Sequence, residues 1–443
     1  MEGGRVTGTN GLPAESGPLL LTGVTLEDGG LADVAIVDGT ISEVAASGMD
    51  SSAGYEVLDL RGHLLLPAPA EPHAHFDTAL TADALPNPAG DLRSAIDAWM
   101  SCQVTVTQHD FVERATRVAL LGLSNGTTAI RTHVGIYPSV GLRAVEALLK
   151  VREALRDHID IQLVALTVGV TGVENAGVRA MLRDALEMGV DVVGGCPHLD
   201  DDPAACNEFA LELATEFGRP IDLHTDETLD PRMLYLRDFA RRVRDRQFPF
   251  GAVASHCVSL GVQREHLIRD VAAEVAEAGV AVICNPQTNL FLQARGSNSA
   301  PPRGLTAVRP LLDAGVTVAG GGDNVRDPFN ILGRADPLET ASLLVTAGHL
   351  TPAEAYRAVS VGARTAMGLP YVDIRPGAPA ELLAVRASSI AEAIASIASR
   401  VVIRGGKVAA RTTVTRTLAD ALASGVSSHD FTAAADLGER ARQ

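Results

Sequence analysis

Lysine is nearly absent from this chain of 443 residues: Lys150 and Lys407 are the only two among 37 basic residues. With so much alanine and glycine, that bias toward arginine suggests a GC-rich bacterial genome. Aromatic residues are scarce as well, at 4% with a single tryptophan. The five cysteines (Cys102, Cys196, Cys206, Cys257, Cys284) are odd in number and include no C-x-x-C pair. This argues against a zinc ribbon or a disulfide framework and leaves reduced thiols, as in a cytoplasm. The chain opens without a basic segment leading into an apolar core, so no signal peptide is expected. No apolar run approaches the roughly 20 residues that span a bilayer. The net charge of -17 opposes extended contact with nucleic acid or anionic lipid. A soluble cytoplasmic protein with neither a nucleic-acid nor a membrane partner is the expectation.

What is present has the balance of a soluble enzyme, 46% hydrophobic and 21% charged. The length allows one large core, or a barrel with a smaller satellite. Residues 1–17 are rich in Gly, Ser, Thr and Pro and form an expected unstructured lead-in. Short β-rich runs then follow to about residue 66 (LLLTGVTL, DVAIVDGTISEVA, YEVLDLRGHLLL) and return over 371–413 (AELLAVRA, RVVIRGGKVAART). The last of these predicts a hairpin turning at Gly405-Gly406. Together the two ends predict a small β-sandwich, followed by a tail, 414–443, with little pattern. Between them, over 67–370, eight apolar runs alternate with amphipathic helical stretches that end in glycine, which predicts an α/β fold, a (β/α)8 TIM barrel. The rival open doubly wound sheet would usually carry a Gly-rich phosphate turn after its first strand, and none is present.

In such a barrel, functional groups gather where strands end and loops begin. The runs end in His73-Ala74-His75, His133, His198, His224-Thr225-Asp226-Glu227, His256 and Asp323. Side chains two apart on a strand share a face, so His73 and His75 can reach one ion in the barrel mouth. A lone H-x-H is usually a surface or packing pair, but here His224 and Asp323 fall at further strand ends. Three nitrogens and one oxygen, with a position left for water, suit catalytic Zn2+ and would equally suit Fe2+. Glu227, three residues past His224, could take a proton from that water and pass it to a ring or amide nitrogen. Asp226 reads as a supporting or helix-N-terminal residue. His256 could hold or polarise the attacking hydroxide, while His133 and His198 either line the pocket or bond across the barrel.

These residues resemble the amidohydrolase superfamily and, within it, the cytosine deaminase-like group. The resemblance spans roughly residues 60–410. It is carried by EPHAHFDT (71–78), RTHV (131–134), VDVVGG (190–195), IDLHTDE (221–227), ASHC (254–257), NPQTNLFLQ (285–293) and GGDNVRDP (321–328). It implies one divalent metal ion per chain on His73, His75, His224 and Asp323, with Glu227 shuttling a proton and His256 assisting the hydroxide. Asp323 would double as base toward the water and acid toward departing ammonia. Binuclear relatives bridge two metals with a strand-end lysine. Lys150 lies in a helical stretch and Lys407 in the terminal hairpin, so one metal is expected. The group often forms homo-oligomers.

Several positions depart from the group. Its cytosine deaminases carry a glutamine at the end of the third strand, where Val168 stands here. A valine offers no hydrogen bond to a pyrimidine edge, and losing such a bond can cost about 10⁴-fold in discrimination. Asn324 replaces a second acid, followed by Arg326, either an anion-binding or a salt-bridging residue. This D-N-x-R-D pattern resembles the isopropylammelide aminohydrolase branch, which lacks the glutamate found here at 227. Phe329 stands where the group places an aromatic against the substrate ring, although a core phenylalanine reads equally well. The expected reaction is hydrolytic deamination of a small heterocyclic amine other than cytosine, a hydroxide attacking the amino-bearing carbon. Hydrolysis of an N-alkylamino group or a cyclic amide is the alternative, and a catalytically retired binding barrel is the non-enzymatic one.

Overall fold

The computed structural model describes residues 17–50 and 54–417. The expected lead-in, apart from Gly17, and nearly all of the expected tail lie outside the described residues. The chain divides into two compact units, one taking the chain up to Leu66 and again from Ile374, the other Pro67–Asp373.

The first unit is built from β1 (Leu19–Thr25), β2 (Leu31–Val37), β3 (Thr40–Ala46), β4 (Glu56–Asp59) and β5 (Leu64–Pro67). The second contains β6 (Ala70–Ala74), β7 (Ala129–Gly135), β8 (Asp160–Leu166), β9 (Val192–Gly195), β10 (Ile221–Thr225), β11 (Ala252–His256), β12 (Ala281–Cys284) and β13 (Val318–Gly320). The chain returns to the first unit with β14 (Leu382–Val385), β15 (Arg400–Arg404) and β16 (Lys407–Thr412).

Hydrogen bonds join the strands of the terminal unit in one path, β16-β15-β14-β5-β1-β2-β3, with β4 beside β1. The expected sandwich is therefore one sheet that curls on itself. The β2–β3 turn meets the β15–β16 turn, since a Cβ on Gly39 would lie 3.2 Å from the Gly405 carbonyl oxygen. Ile36, Ile41, Leu382 and Ile403 close the core inside that curl. Gly405 and Gly406 both have positive φ, +55° and +79°, as a two-residue hairpin turn requires.

In the second unit, β6 to β13 follow one another as a parallel sheet. A single parallel bridge, Ala74 to Asp323, brings its two ends together. Helices separate successive strands, so both faces of the sheet are covered and its strands are buried almost throughout. The helix Pro203–Phe217 shows how the sequence punctuates them. Asp202 caps its start by accepting from the Ala205 N–H, Pro203 occupies the first turn, and Gly218 ends it with φ +62°. One apolar cluster in this unit packs Ala70, Ala129, Val253, Ala281, Ile283 and Ala319 against Ala363, Ala366 and Met367. Among the described residues, no helix is long and apolar enough to cross a membrane.

Ile283 is fully buried in this cluster. Ile283→Val is expected to cost about 0.5–1.5 kcal/mol and Ile283→Ala about 2–5 kcal/mol. Urea unfolding followed by circular dichroism reads both, and equal midpoints for the two variants would contradict the packing described.

Candidate active site

The C-terminal ends of the barrel strands converge on one group of imidazoles. His73 and His75, two apart at the end of β6, reach His224 at the end of β10 with both Nε2–Nε2 distances at 3.1 Å. Asp323, three residues past β13, places Oδ1 3.3 Å from His75 Nε2 and 3.7 Å from His73 Nε2. Ligands 2.0–2.1 Å from a tetrahedral zinc stand about 3.4 Å apart. Three ring nitrogens facing one another, and two buried Asp323 oxygens without a hydrogen-bond partner, make a donor set that could hold a cation. The residues present fit a metal cation.

Burial sets the protonation of this group. It pushes His73, His224 and His256 far below the usual histidine range and His75 down to about 3, so their lone pairs are free. The same burial raises Asp323 well above the carboxylate range, with the Glu227 charge adding to it, and lifts Glu227 to about 8. A cation among them would reverse the sign of that argument for both acids.

The backbone at the site is strained. Asp226, His256 and Asp323 have φ of +51°, +70° and +62°, a left-handed region that side chains with a Cβ rarely adopt. Asp226 accepts from the N–H groups of Tyr235 and Leu236 and so anchors the helix Tyr235–Asp245, the role expected of it. His256 stands 3.4 Å from Glu227 Oε1 and 3.9 Å from Asp323 Oδ2.

A cavity of about 200 Å³ opens over the cluster. Val168, Asn324 and Phe329 line it, together with His75, His224, Glu227, His256 and Asp323. Asn324 is already engaged, donating to Asp327 Oδ2 at 2.8 Å and accepting from Thr288 at 3.3 Å. The other expected pocket residues lie elsewhere. His133 sits inside the barrel on β7, its ring 4.1 Å from that of His73, and is fully buried without lining the cavity. Arg326 is exposed, because the chain turns there with φ +50°. His198 contacts the back of the cluster, its Nδ1 3.1 Å from the His224 carbonyl oxygen, and lines a neighbouring chamber instead.

Other residues at the site were not singled out by sequence. Ser255 donates to Asp222 Oδ1 at 2.8 Å and accepts from His73 Nδ1 at 3.0 Å, turning the His73 Nε2 lone pair toward the cluster. Arg131 completes that chain with a buried ion pair to Asp222 at 2.9 Å. Asn289 bridges Glu227 Oε1 at 3.3 Å and His256 Nδ1 at 3.0 Å. Leu92, Ile96, Trp99 and Met100 close the cavity from one face of the helix Leu92–Cys102. Tyr137 lines it too, with a hydroxyl that bonds to none of the described residues. Of these, only the residues within RTHV, IDLHTDE, ASHC and NPQTN lay in recognisable motifs.

A barrel with such a cluster at its C-terminal mouth, beside a buried carboxylate, defines a metal-dependent hydrolase. The amidohydrolase family model matches residues 56–410, and the chain belongs to that family of enzymes, which hydrolyse carbon–nitrogen bonds. The pterin deaminase of Rhizobium rhizogenes is 32% identical over 383 residues, 85% of this chain and 87% of that protein. The 5-methylcytosine deaminase of Klebsiella pneumoniae, solved with 5-fluorocytosine, superposes with a TM-score of 0.83 at 29% identity, covering 91% of this chain and all of that one. The N-isopropylammelide isopropylaminohydrolase of Burkholderia multivorans does so at 0.78 and 29%, over 90% and 100%.

Removal of divalent metal by a chelator is expected to lower Tm, and Zn2+ or Fe2+ to restore it. Saturation at a hundred times Kd stabilises a folded chain by about 2.7 kcal/mol. His224→Ala should abolish the restoration, as followed by differential scanning fluorimetry; an unchanged response would exclude this cluster as the metal site.

Proposed function

We propose that the chain is a hydrolytic deaminase of a small nitrogen heterocycle other than cytosine, with one divalent metal ion held by His73, His75, His224 and Asp323. The observation that carries this reading is Glu227: a carboxyl group buried in the cavity wall, tied to His256 and Asn289, within reach of both the ligand cluster and any ring placed above it. Zn2+ or Fe2+ in the cluster would supply Lewis acidity and make water a nucleophile near neutral pH.

The chain's own groups supply the rest. Glu227 takes a proton from the attacking water and returns it to a ring nitrogen. His256 orients the nucleophile, and Asp323 accepts the second proton and delivers it to the amine, which leaves as ammonia. Water and the aminated ring are consumed, and the hydroxylated ring and ammonia are formed.

Substrate choice is read from the opposite wall. Val168 and Leu166 present only hydrocarbon there, so an amide edge like that of cytosine finds no partner at residue 168. The Tyr137 hydroxyl is one polar group on the lining, beside those of Thr78 and Thr288. Burial raises its pKa, so it stays neutral and can donate or accept. Phe329 and Trp99 offer ring faces for an aromatic substrate. The similarity to a pterin deaminase supports an amino-substituted ring as substrate, and the presence of Glu227 favours loss of ammonia over loss of an alkylamine.

Ammonia release is to be measured against aminopyrimidines, aminotriazines, aminopurines, pterins and creatinine. Glu227→Gln should reduce kcat by about 10²–10⁴-fold on whichever ring responds. Silence across the panel from metal-loaded protein, or efficient turnover of cytosine, would overturn the reading. On the same substrate, Tyr137→Phe is expected to raise KM by about tenfold, one hydrogen bond's worth, with kcat largely kept; an unchanged KM would remove Tyr137 from substrate recognition.

A further inference from the structure

The barrel has a seam. Each of the strands β6 to β13 pairs with its sequence neighbour, yet β6 and β13 themselves share only the Ala74–Asp323 bridge. Two of the four proposed ligands stand on opposite sides of that seam, His73 on β6 and Asp323 just beyond β13. Their separation therefore depends on whatever crosses it.

Glu71 crosses it. It stands two residues before His73, where the pairing of β6 with β7 shifts register between Glu71 and Ala74. Its Oε1 accepts from the His73 N–H at 3.1 Å and from the Gly322 N–H at 3.0 Å, and Oε2 also accepts from Gly322 at 2.9 Å. The Asp323 N–H donates to the His73 carbonyl oxygen at 2.9 Å and closes the loop. The carboxylate thus replaces the missing strand ladder with bonds to the backbone of one ligand and of the residue next to the other. The glycine pair makes room for it: a Cβ on Gly322 would stand 2.8 Å from Glu71 Oε2, and one on Gly321 3.2 Å from Oε1.

We infer that Glu71 is a positioning residue for the metal centre, holding His73 and Asp323 at ligand spacing across the barrel seam. This rests on the metal-centre reading above. Glu71 touches neither the ion nor the substrate, and it acts through the two backbone segments it clamps. A glutamine keeps Oε1 for the His73 N–H but sets its NH2 against the Gly322 N–H, donor to donor, so it retains only part of the clamp, whereas alanine removes it.

The test uses the full-length protein loaded with Co2+, with affinity from chelator competition and the ligand field from the visible absorption spectrum. Glu71→Ala is expected to weaken Co2+ binding by about 10–100-fold, the usual cost of losing a group that holds a ligand in place, and to alter the spectrum. Glu71→Gln should fall between wild type and Glu71→Ala in both readouts, because it keeps the bond to His73 and loses an acceptor for Gly322. Ile403→Val, a packing change in the core of the terminal unit, should leave both unchanged. Should Glu71→Ala fail to fold, Gly322→Ala decides the matter, since its added methyl displaces the carboxylate while leaving it in the chain. A wild-type spectrum and an affinity within about twofold of wild type for the folded variant would overturn the inference. Co2+ bound equally well by His224→Ala would instead overturn the metal-centre reading, and the role of Glu71 with it.

Discussion

The apposition of residues 73 and 323, from the first and the eighth barrel strands, is the constraint on which the rest of the site depends. The two are remote in sequence, and they meet only because a parallel sheet of eight strands twists until its edges touch. Where the edges touch, regular pairing gives way to one bridge, one backbone hydrogen bond and the Glu71 carboxylate. The spacing of the imidazoles and of Asp323 follows from that closure.

Burial then does the electrostatic work. Imidazoles packed at the mouth stay neutral because the interior penalises their charged form, which is the state a metal ligand needs. The carboxyl groups of Asp323 and Glu227 are pushed the other way, an electrostatic cost that a cation beside them would lower. Left-handed backbone at Asp226, His256 and Asp323 adds a second stored cost, of about 1–2 kcal/mol per residue. Both costs are borne by the surrounding fold: the Arg131–Asp222–Ser255 chain beneath His73, the helix anchored on Asp226, and the amide of Asn289 beside His256.

In the proposed reading, the chemistry and the specificity occupy different parts of the barrel. The proposed ligands and Glu227 lie on strand ends and the first residues beyond them, where backbone pairing leaves little freedom. The cavity wall facing them comes from segments that the strands merely support, Val168 and Tyr137 past β8 and β7, Phe329 in the last loop, and the helix carrying Ile96, Trp99 and Met100. The relatives named above are called after pterin, 5-methylcytosine and isopropylammelide chemistry at comparable identity.

Much of this was legible before any coordinates. Eight apolar runs alternating with glycine-ended helical stretches can satisfy their hydrogen bonds and bury both faces in few ways, and a barrel is one of them. Because side chains alternate along a strand, His73-x-His75 could be read as two groups on one face, and position at a run's end pointed to His224, His256 and Asp323. Those are local properties of the chain. Tertiary structure alone decided what depends on distant segments or on a single backbone angle. It joined the terminal strands of the sandwich in one curled sheet, buried His133 against His73, and turned Arg326 outward at a left-handed residue. It brought the face of the helix Leu92–Cys102 and the Tyr137 hydroxyl to the cavity, and laid Glu71 across the seam. No periodicity announces such contacts, because each is fixed by where the closed barrel puts its neighbours and not by the residues beside it in the chain.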